Sequence, residues 1–321
     1  MFLQRSLCAA VLAGSLLFAA QADDTKVLAA TQIVAHPALD AAYQGVIDEL
    51  AEAGFKEGGN LRVMREIAQG DQTIATQIAK KFAGEKPDVI LAISTPSAQA
   101  VAAAAREIPV VFTAVTDPVA AKLVDNLEKP GKNITGHSDA VKLADSVEMV
   151  QKILPEVKTL GTIYNPGEAN SVVAIEELEK AVTDKGLALL KAPATKSAEV
   201  LDAARSLQGK ADALLLTSDN TVISALPTVI QAGERGKMPV FTVDTSSVEP
   251  GAIAAVGFSY YDLGRATGKQ VAAILNGTAP GDIPVGFLVA DDLYLNVQAA
   301  EKMGVKIPDA VRQSASKVFG E

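Results

Sequence analysis

Six short polar clusters, each following an apolar run, hold most of the side chains in this sequence that could grip a small charged molecule. They are Thr31-Gln32 with His36-Pro37, Ser94-Thr95-Pro96-Ser97, Thr116-Asp117-Pro118, Tyr164-Asn165-Pro166, Ser218-Asp219-Asn220-Thr221 and Asp244-Thr245-Ser246. Several stand just before a helical pattern, whose first backbone N–H groups lack intrahelical partners and can hold a carboxylate. Ser94 or Thr95, with Pro96 opening the helix, makes the best such cradle. Asp219 and Asp244 offer carboxylates to an ammonium group, so the set suits a zwitterion. Any one of these residues can equally be a plain helix cap. Six junctions at one sheet edge are better explained by a cleft. His36 reads as a cap or surface residue, and His137 as a loop residue.

Catalytic machinery is missing. The chain has two histidines and one cysteine, and no H-E-x-x-H, G-x-S-x-G or C-x-x-C spacing. No G-x-G-x-x-G follows a strand pattern, and Gly264 to Lys269, which faintly resembles a phosphate loop, is one residue short and lies in a helical pattern. Asp291-Asp292 and Glu176-Glu177 read as a helix start and a solvated helix face. No metal and no cofactor are expected.

The elements that must position these residues alternate between Val, Ile and Leu-rich runs and stretches of helical period, the pattern of a parallel sheet covered by helices on both faces. Strands are expected at Lys26 to Val34, Leu61 to Ile67, Asp88 to Ile93 and Val110 to Ala114, with helices near Ala38 to Ala53, Gln72 to Phe82 and Ser97 to Arg106. A second series begins after Asn133 to Gly136. Its strands are expected at Thr159 to Tyr164, Leu187 to Ala192, Ala213 to Thr217 and Pro239 to Val243, and its helices near Ala144 to Leu154, Ser171 to Lys185, Ala198 to Gln208 and Val222 to Gly233. A further strand, Ala252 to Gly257, and helices Leu263 to Asn276 and Asp291 to Met303 suit a chain that crosses back between two halves. The fold class is therefore α/β, two doubly wound parallel-sheet lobes with a multi-crossover hinge near Asp139 to Val141, Phe258 to Tyr260 and Gly286 to Val289. The expected lobes are 23–139 plus 259–287, and 140–258 plus 288–321.

Composition sets the address and excludes partners. Arg5 precedes an apolar run, Leu7 to Ala20, that is shorter than the roughly 20 residues a spanning helix needs and ends at Ala20-Gln21-Ala22. Residues 1–22 are thus expected to be a signal peptide, cleaved near Ala22, which places the protein in the periplasm without stable membrane insertion. Cys8 leaves with that segment, so the remaining chain relies on its core rather than on disulfides. The formal net charge of -9 repels nucleic acid and anionic lipid. A monomer is the simpler expectation for a shuttling carrier.

His36-Pro37-Ala38-Leu39-Asp40, Ser94 to Ala100, Thr113 to Ala120, Asp219-Asn220-Thr221 and Tyr260-Tyr261-Asp262-Leu263-Gly264 together resemble the ABC-transporter substrate-binding family whose known members bind tryptophan, tyrosine or phenylalanine. The resemblance covers nearly the whole chain after residue 22. It implies a type I periplasmic binding protein fold, an aromatic amino acid as ligand, and an ABC permease with its ATPase as partners. Carried over by position, it puts Ser94, Thr95 and Thr116 on the first lobe's side of the cleft and Asn165, Asp219, Asn220 and Asp244 on the second lobe's side. Gln32, in the first of the polar clusters, is expected to join them. Phe258, at the hinge, departs from the polar or acidic residue the family more often has there. The expected function is capture of the solute for import by hinge closure. The alternative is a sensor that presents the same closed form to a chemoreceptor or sensor kinase.

Overall fold

A computed structural model describes residues 25–321; the expected signal peptide lies outside the described residues. The first half alternates strand and helix: β1 (Lys26–Gln32), α1 (Pro37–Glu52), β2 (Leu61–Ile67), α2 (Gln72–Glu85), β3 (Val89–Ile93), α3 (Thr95–Ala104), β4 (Val110–Val115) and β5 (Ile134–Ser138). These strands form one parallel sheet in the order β2-β1-β3-β4-β5. Every residue of β3, VILAI, is buried, because helices cover both faces of the sheet and leave no solvent side for a polar residue. Local chemistry sets the helix ends: Pro37 opens α1, and the Asp71 carboxylate caps α2 by accepting from the N–H groups of Thr73 and Ile74.

The second half runs α4 (Leu143–Ile153), β6 (Thr159–Tyr164), α5 (Ala169–Asp184), β7 (Ala188–Pro193), α6 (Val200–Leu207), β8 (Ala213–Leu216), α7 (Asn220–Ser224), α8 (Leu226–Gly236) and β9 (Val240–Thr242). Its parallel sheet has the order β7-β6-β8-β9. Then follow β10 (Ala254–Gly257), α9 (Tyr260–Leu275), β11 (Asp292–Asn296), α10 (Val297–Lys302), α11 (Asp309–Gln313) and β12 (Lys317–Phe319). The sheet β10-β11-β12, with β10 and β11 antiparallel, extends the second one: Ile253 N–H donates to Val240 O at 2.8 Å, and Asn296 N–H to Ile253 O at 2.8 Å.

Apolar side chains collect in two cores. One draws on residues between Leu28 and Ile134 and again between Phe258 and Val285; the other on residues between Leu143 and Ala254 and between Leu295 and Val311. Among the described residues the chain passes between them three times. Val141 packs against both, and Phe258, Leu288 and Ala290 pack with the first, slightly beyond the switch points expected from sequence. At the crossovers β5 meets the returning chain, with Ser138 N–H donating to Gly286 O at 2.9 Å.

Helix α9 returns to the first core by lying close against α1, and three glycines allow the approach. A Cβ on Gly264 would sit 2.1 Å from the Ala42 carbonyl oxygen, one on Gly45 2.1 Å from the Tyr261 carbonyl oxygen, and one on Gly268 would meet Glu49. Arg265 then pairs with Glu49 and Glu52 across the two helices. The Gly264 to Lys269 segment is thus a packing face of α9.

Three expectations need correction. Asp291 to Met303 is not one helix: Asp292–Asn296 is strand β11, recruited by pairing with β10 and β12, and only Val297–Lys302 is helical. Val222 to Gly233 is two helices, broken at Ala225 because Pro227 cannot donate inside a continuous helix and so opens α8. Strands β5 and β12 and the short helix α11 were not anticipated; β5, ITGHS, is buried but too poor in branched apolar residues to read as a strand.

Candidate functional site

The carboxyl ends of both parallel sheets face one gap, and a narrow cavity of about 20 Å³ lies there. Its wall combines His36, Ala38, Leu39, Ala114 and Tyr260 from the first core's side with Asn170, Ser218, Asn220, Ile223 and Asp244 from the second, and Asp139 at the crossover. Each residue arrives there by its place in an element. Asn220 and Asp244 follow β8 and β9, Ala114 lies in β4, Asp139 follows β5, and Tyr260 begins α9.

The charge on its wall comes from two carboxylates. Asp139 and Asp244 are each less than 5 % exposed, and no Lys or Arg lines the cavity. Asp139 accepts from Tyr260 Oη at 2.8 Å and from Thr116 Oγ1 at 3.1 Å. Asp244 accepts from Ser247 Oγ at 2.7 Å and from Ser246 N–H at 2.8 Å. Burial pushes both carboxyls above the usual range against these hydrogen bonds, and the Asp244 charge adds to the rise at Asp139. Burial, and then the charges of Asp139 and Asp244, hold the Tyr260 phenol far above its ordinary value, so it stays a hydrogen-bond donor.

The rest of the wall is uncharged. Burial lowers His36 to about 4, so its imidazole is uncharged at neutral pH. Asn220, across the gap, acts on it in the opposite sense. Asn220 is itself fixed by Glu168, which is 4 % exposed and accepts from the Asn220 side-chain amide and from Thr221 Oγ1 at 2.7 Å. A more open groove of about 460 Å³ shares Asn220 and continues outward between Gln69 to Gln72 and Glu168, Lys196 and Thr221. At that side Gln72 Nε2 donates to Gly167 O at 3.0 Å, one direct bond between the lobes.

Of the residues singled out from sequence, Asn220 and Asp244 line the cavity. Asp219 is fully buried and its oxygens are occupied, accepting from Asn165 N–H at 2.6 Å, Val222 N–H at 2.9 Å and Ser171 Oγ. Burial and then the Glu168 charge push it up to about 7. Asn165 forms the turn around it, its Oδ1 accepting from Gly167 N–H at 2.8 Å. Gln32 is tied to Val34 O and Asp40, and Thr116 reaches the site through Asp139. Phe258 packs in the first core with its ring centroid 5.5 Å from that of Tyr260.

Ser94 and Thr95 stand at the head of α3, where the hydroxyls of Ser94, Thr95 and Ser97 are buried without a hydrogen-bond partner. Ser94 holds φ of 77° and Ala114 φ of 56°, joined through Ser94 N–H donating to Thr113 O at 2.9 Å. Two non-glycine residues in the left-handed region cost about 1–3 kcal/mol each, and such strain gathers at ligand sites. Sequence reasoning did not select Asp139, Tyr260, Asn170 or Ser218. Ser218 and Tyr260 stood inside noticed motifs, whereas nothing marked Asp139 as the end of a strand.

Among known proteins, the family described as ABC transporter substrate binding protein matches residues 27–319. A tyrosine-binding protein of Clostridioides difficile (strain R20291) is 39% identical over 266 residues, 83% of this chain and 77% of that protein. The structure of an ABC domain in complex with L-Trp from Streptococcus pneumonia is 34% identical, with a TM-score of 0.88 over 92% of this chain and 100% of that one. The ligand-free, open structure of a substrate binding protein with adhesive properties from Clostridium difficile is 39% identical, with a TM-score of 0.68 over the same shares, 92% and 100%. The fold is that of the two-lobed periplasmic binding proteins. The chain belongs to the ABC transporter substrate binding protein family, whose members bind a solute rather than transform it.

Proposed function

We propose that the protein is the exported, solute-capturing component of an ABC importer and that it closes around an amino acid, with an aromatic one as the lead candidate. The observation that carries this reading is the cavity itself, shared by both lobes and holding two buried carboxylates with no cation beside them. Two buried carboxylates that share no cation are costly even when hydrogen-bonded, and a ligand ammonium between Asp244 and Asp139 relieves that cost. The unpartnered hydroxyls of Ser94 and Thr95, which stand behind Ala114 of the cavity wall through the Ser94–Thr113 bond rather than on the wall itself, are the candidate seat for the ligand carboxylate as the lobes part to admit it. Asp219, whose oxygens are occupied, supports the wall from behind. The apolar stretch of Ala38, Leu39, Ala114 and Ile223 receives a side chain, and the tyrosine and tryptophan binders among the relatives support an aromatic one.

Hinge closure is supported by a contrast in shape. The chain is nearer in form to the L-Trp complex, at a TM-score of 0.88, than to the open, ligand-free structure, at 0.68, although it is less identical to the former in sequence. We therefore read the described conformation as the closed one. Family membership supports a permease and an ATPase as partners, and the signal-peptide pattern of residues 1–22 supports a periplasmic address. Calorimetric titration of the purified protein with the twenty amino acids tests the reading. At least one aromatic amino acid should bind, and Asp244→Asn should weaken that binding by at least about thirtyfold while the protein stays folded. Binding by none of the twenty, or an unchanged affinity in Asp244→Asn, would refute it.

A further inference from the structure

Asn170 brings a spare acceptor to the cavity. It is the second residue of α5, 4 % exposed, and it shares the cavity wall with Asp139 and Asp244. Both hydrogens of its side-chain amide are spent, since Nδ2 donates to the Ser218 carbonyl oxygen at 3.0 Å and to Glu168 Oε2 at 3.4 Å. A carbonyl and a carboxylate can only accept, so turning the amide over would set oxygen against oxygen, and the neighbours themselves fix which end is which. Oδ1 is left over, buried and without a hydrogen-bond partner. It is therefore the polar side-chain atom that Asn170 still has to offer a guest. A buried acceptor without a donor is costly, and a ligand donor removes the cost.

Resting on the amino acid reading above, we propose that Asn170 Oδ1 is the third acceptor for the ligand's ammonium, beside Asp139 and Asp244, so that the site demands a primary amine and rejects an N-alkylated one. An ammonium carries three N–H donors, and each needs an acceptor once water is gone. The two carboxylates supply the opposite charge, and the amide supplies a neutral oxygen from the second lobe. Free space of about 20 Å³ admits one or two groups of water size, which an ammonium is. In so small a space one occupant meets the carboxylates and the amide together. A methyl group on the amine removes one donor and needs room that this wall does not leave. A site built to bond a ligand N–H rejects an analogue lacking it, because its own polar group is then left unpaired.

The test is calorimetric titration of the purified protein, and of Asn170→Ala and Asn170→Ser, with L-tyrosine, L-tryptophan, L-phenylalanine and the N-methyl form of each. The unaltered protein should bind the tightest of the three amino acids at least about tenfold more tightly than its N-methyl form. Asn170→Ala removes the acceptor and opens space for the methyl group, so it should bring that ratio close to one while still binding the N-methyl ligand, which also shows that the variant is folded. Asn170→Ser, whose shorter hydroxyl can still accept, should keep part of the ratio and serves in its place if Asn170→Ala does not fold. A role confined to tying Ser218 to Glu168 would weaken both ligands alike and leave the ratio unchanged. Equal affinities for the two forms in the unaltered protein, or a ratio kept in full by the variants, would overturn the role of Asn170 and leave the amino acid reading intact. Binding of none of the three amino acids would overturn both.

Discussion

The carboxyl of Asp219 and the rings of His36 and His137 respond to pH in opposite directions. Burial, with the Glu168 charge beside it, lifts Asp219 from 3.8 to about 7, so the folded chain holds a proton there that the unfolded chain has released. Its contribution to stability therefore falls as pH rises between those values. Burial lowers both histidines from 6.5 to about 4, so there the unfolded chain binds the extra protons and stability rises with pH across that interval. Asp219→Asn removes the opposing contribution of that carboxyl. Urea unfolding of that variant between pH 4 and 7 should show a steeper gain in stability with pH than the unaltered protein, and parallel profiles would contradict the assignment. The sequence could not separate Asp219 from Asp244, since both follow an apolar run and both cap a helix. What differs is which side chain reaches the cavity wall: Asp244 does, whereas bonds from Ser171 in α5 and from Asn165 after β6 hold Asp219 away from it. His36 was undervalued for the same reason, as a cap position hides whether the ring makes a capping bond.

Helices α1 and α9 carry the first lobe's share of the wall, with His36 at the head of one and Tyr260 at the head of the other. Gly264→Ala places a methyl group 2.1 Å from the Ala42 carbonyl oxygen, and backbone cannot yield as a flexible side chain does. The expected cost is about 1–3 kcal/mol by denaturant unfolding, with weaker ligand binding, since parting the helices moves both wall residues. Unaltered stability and affinity together would show that the close approach is unimportant. Phe258→Ala, in the first core against Tyr260, should cost about 3–5 kcal/mol on the same measure. Most elements were legible: β2 and β6 match their expected spans, because branched apolar runs between turn residues have few other uses. The failures fell where tertiary pairing decides. The segment DLYLN of β11 satisfies either periodicity over so short a run, and the antiparallel partner β10 settles it.

At the scale of the whole molecule, three crossings of the chain leave the two lobes joined by short segments, with few direct bonds such as Gln72 to Gly167 across the gap. Opening would expose Asp139 and Asp244 to water, and a ligand that neutralises them favours the closed form by its added contacts. Small-angle X-ray scattering should therefore give a smaller radius of gyration with saturating ligand than without it, and identical curves would argue against closure. The paired βα series made two lobes readable from sequence, whereas the hinge position depends on which core takes Phe258 and Leu288, which no local pattern encodes. Whether the cavity between Asp139 and Asp244 is where the solute sits can be seen directly in a crystal structure of the protein grown with its tightest amino acid. The account predicts density touching both lobes, with the ammonium within hydrogen-bonding distance of Asp244. Density on an outer surface, with this cavity unfilled, would contradict it.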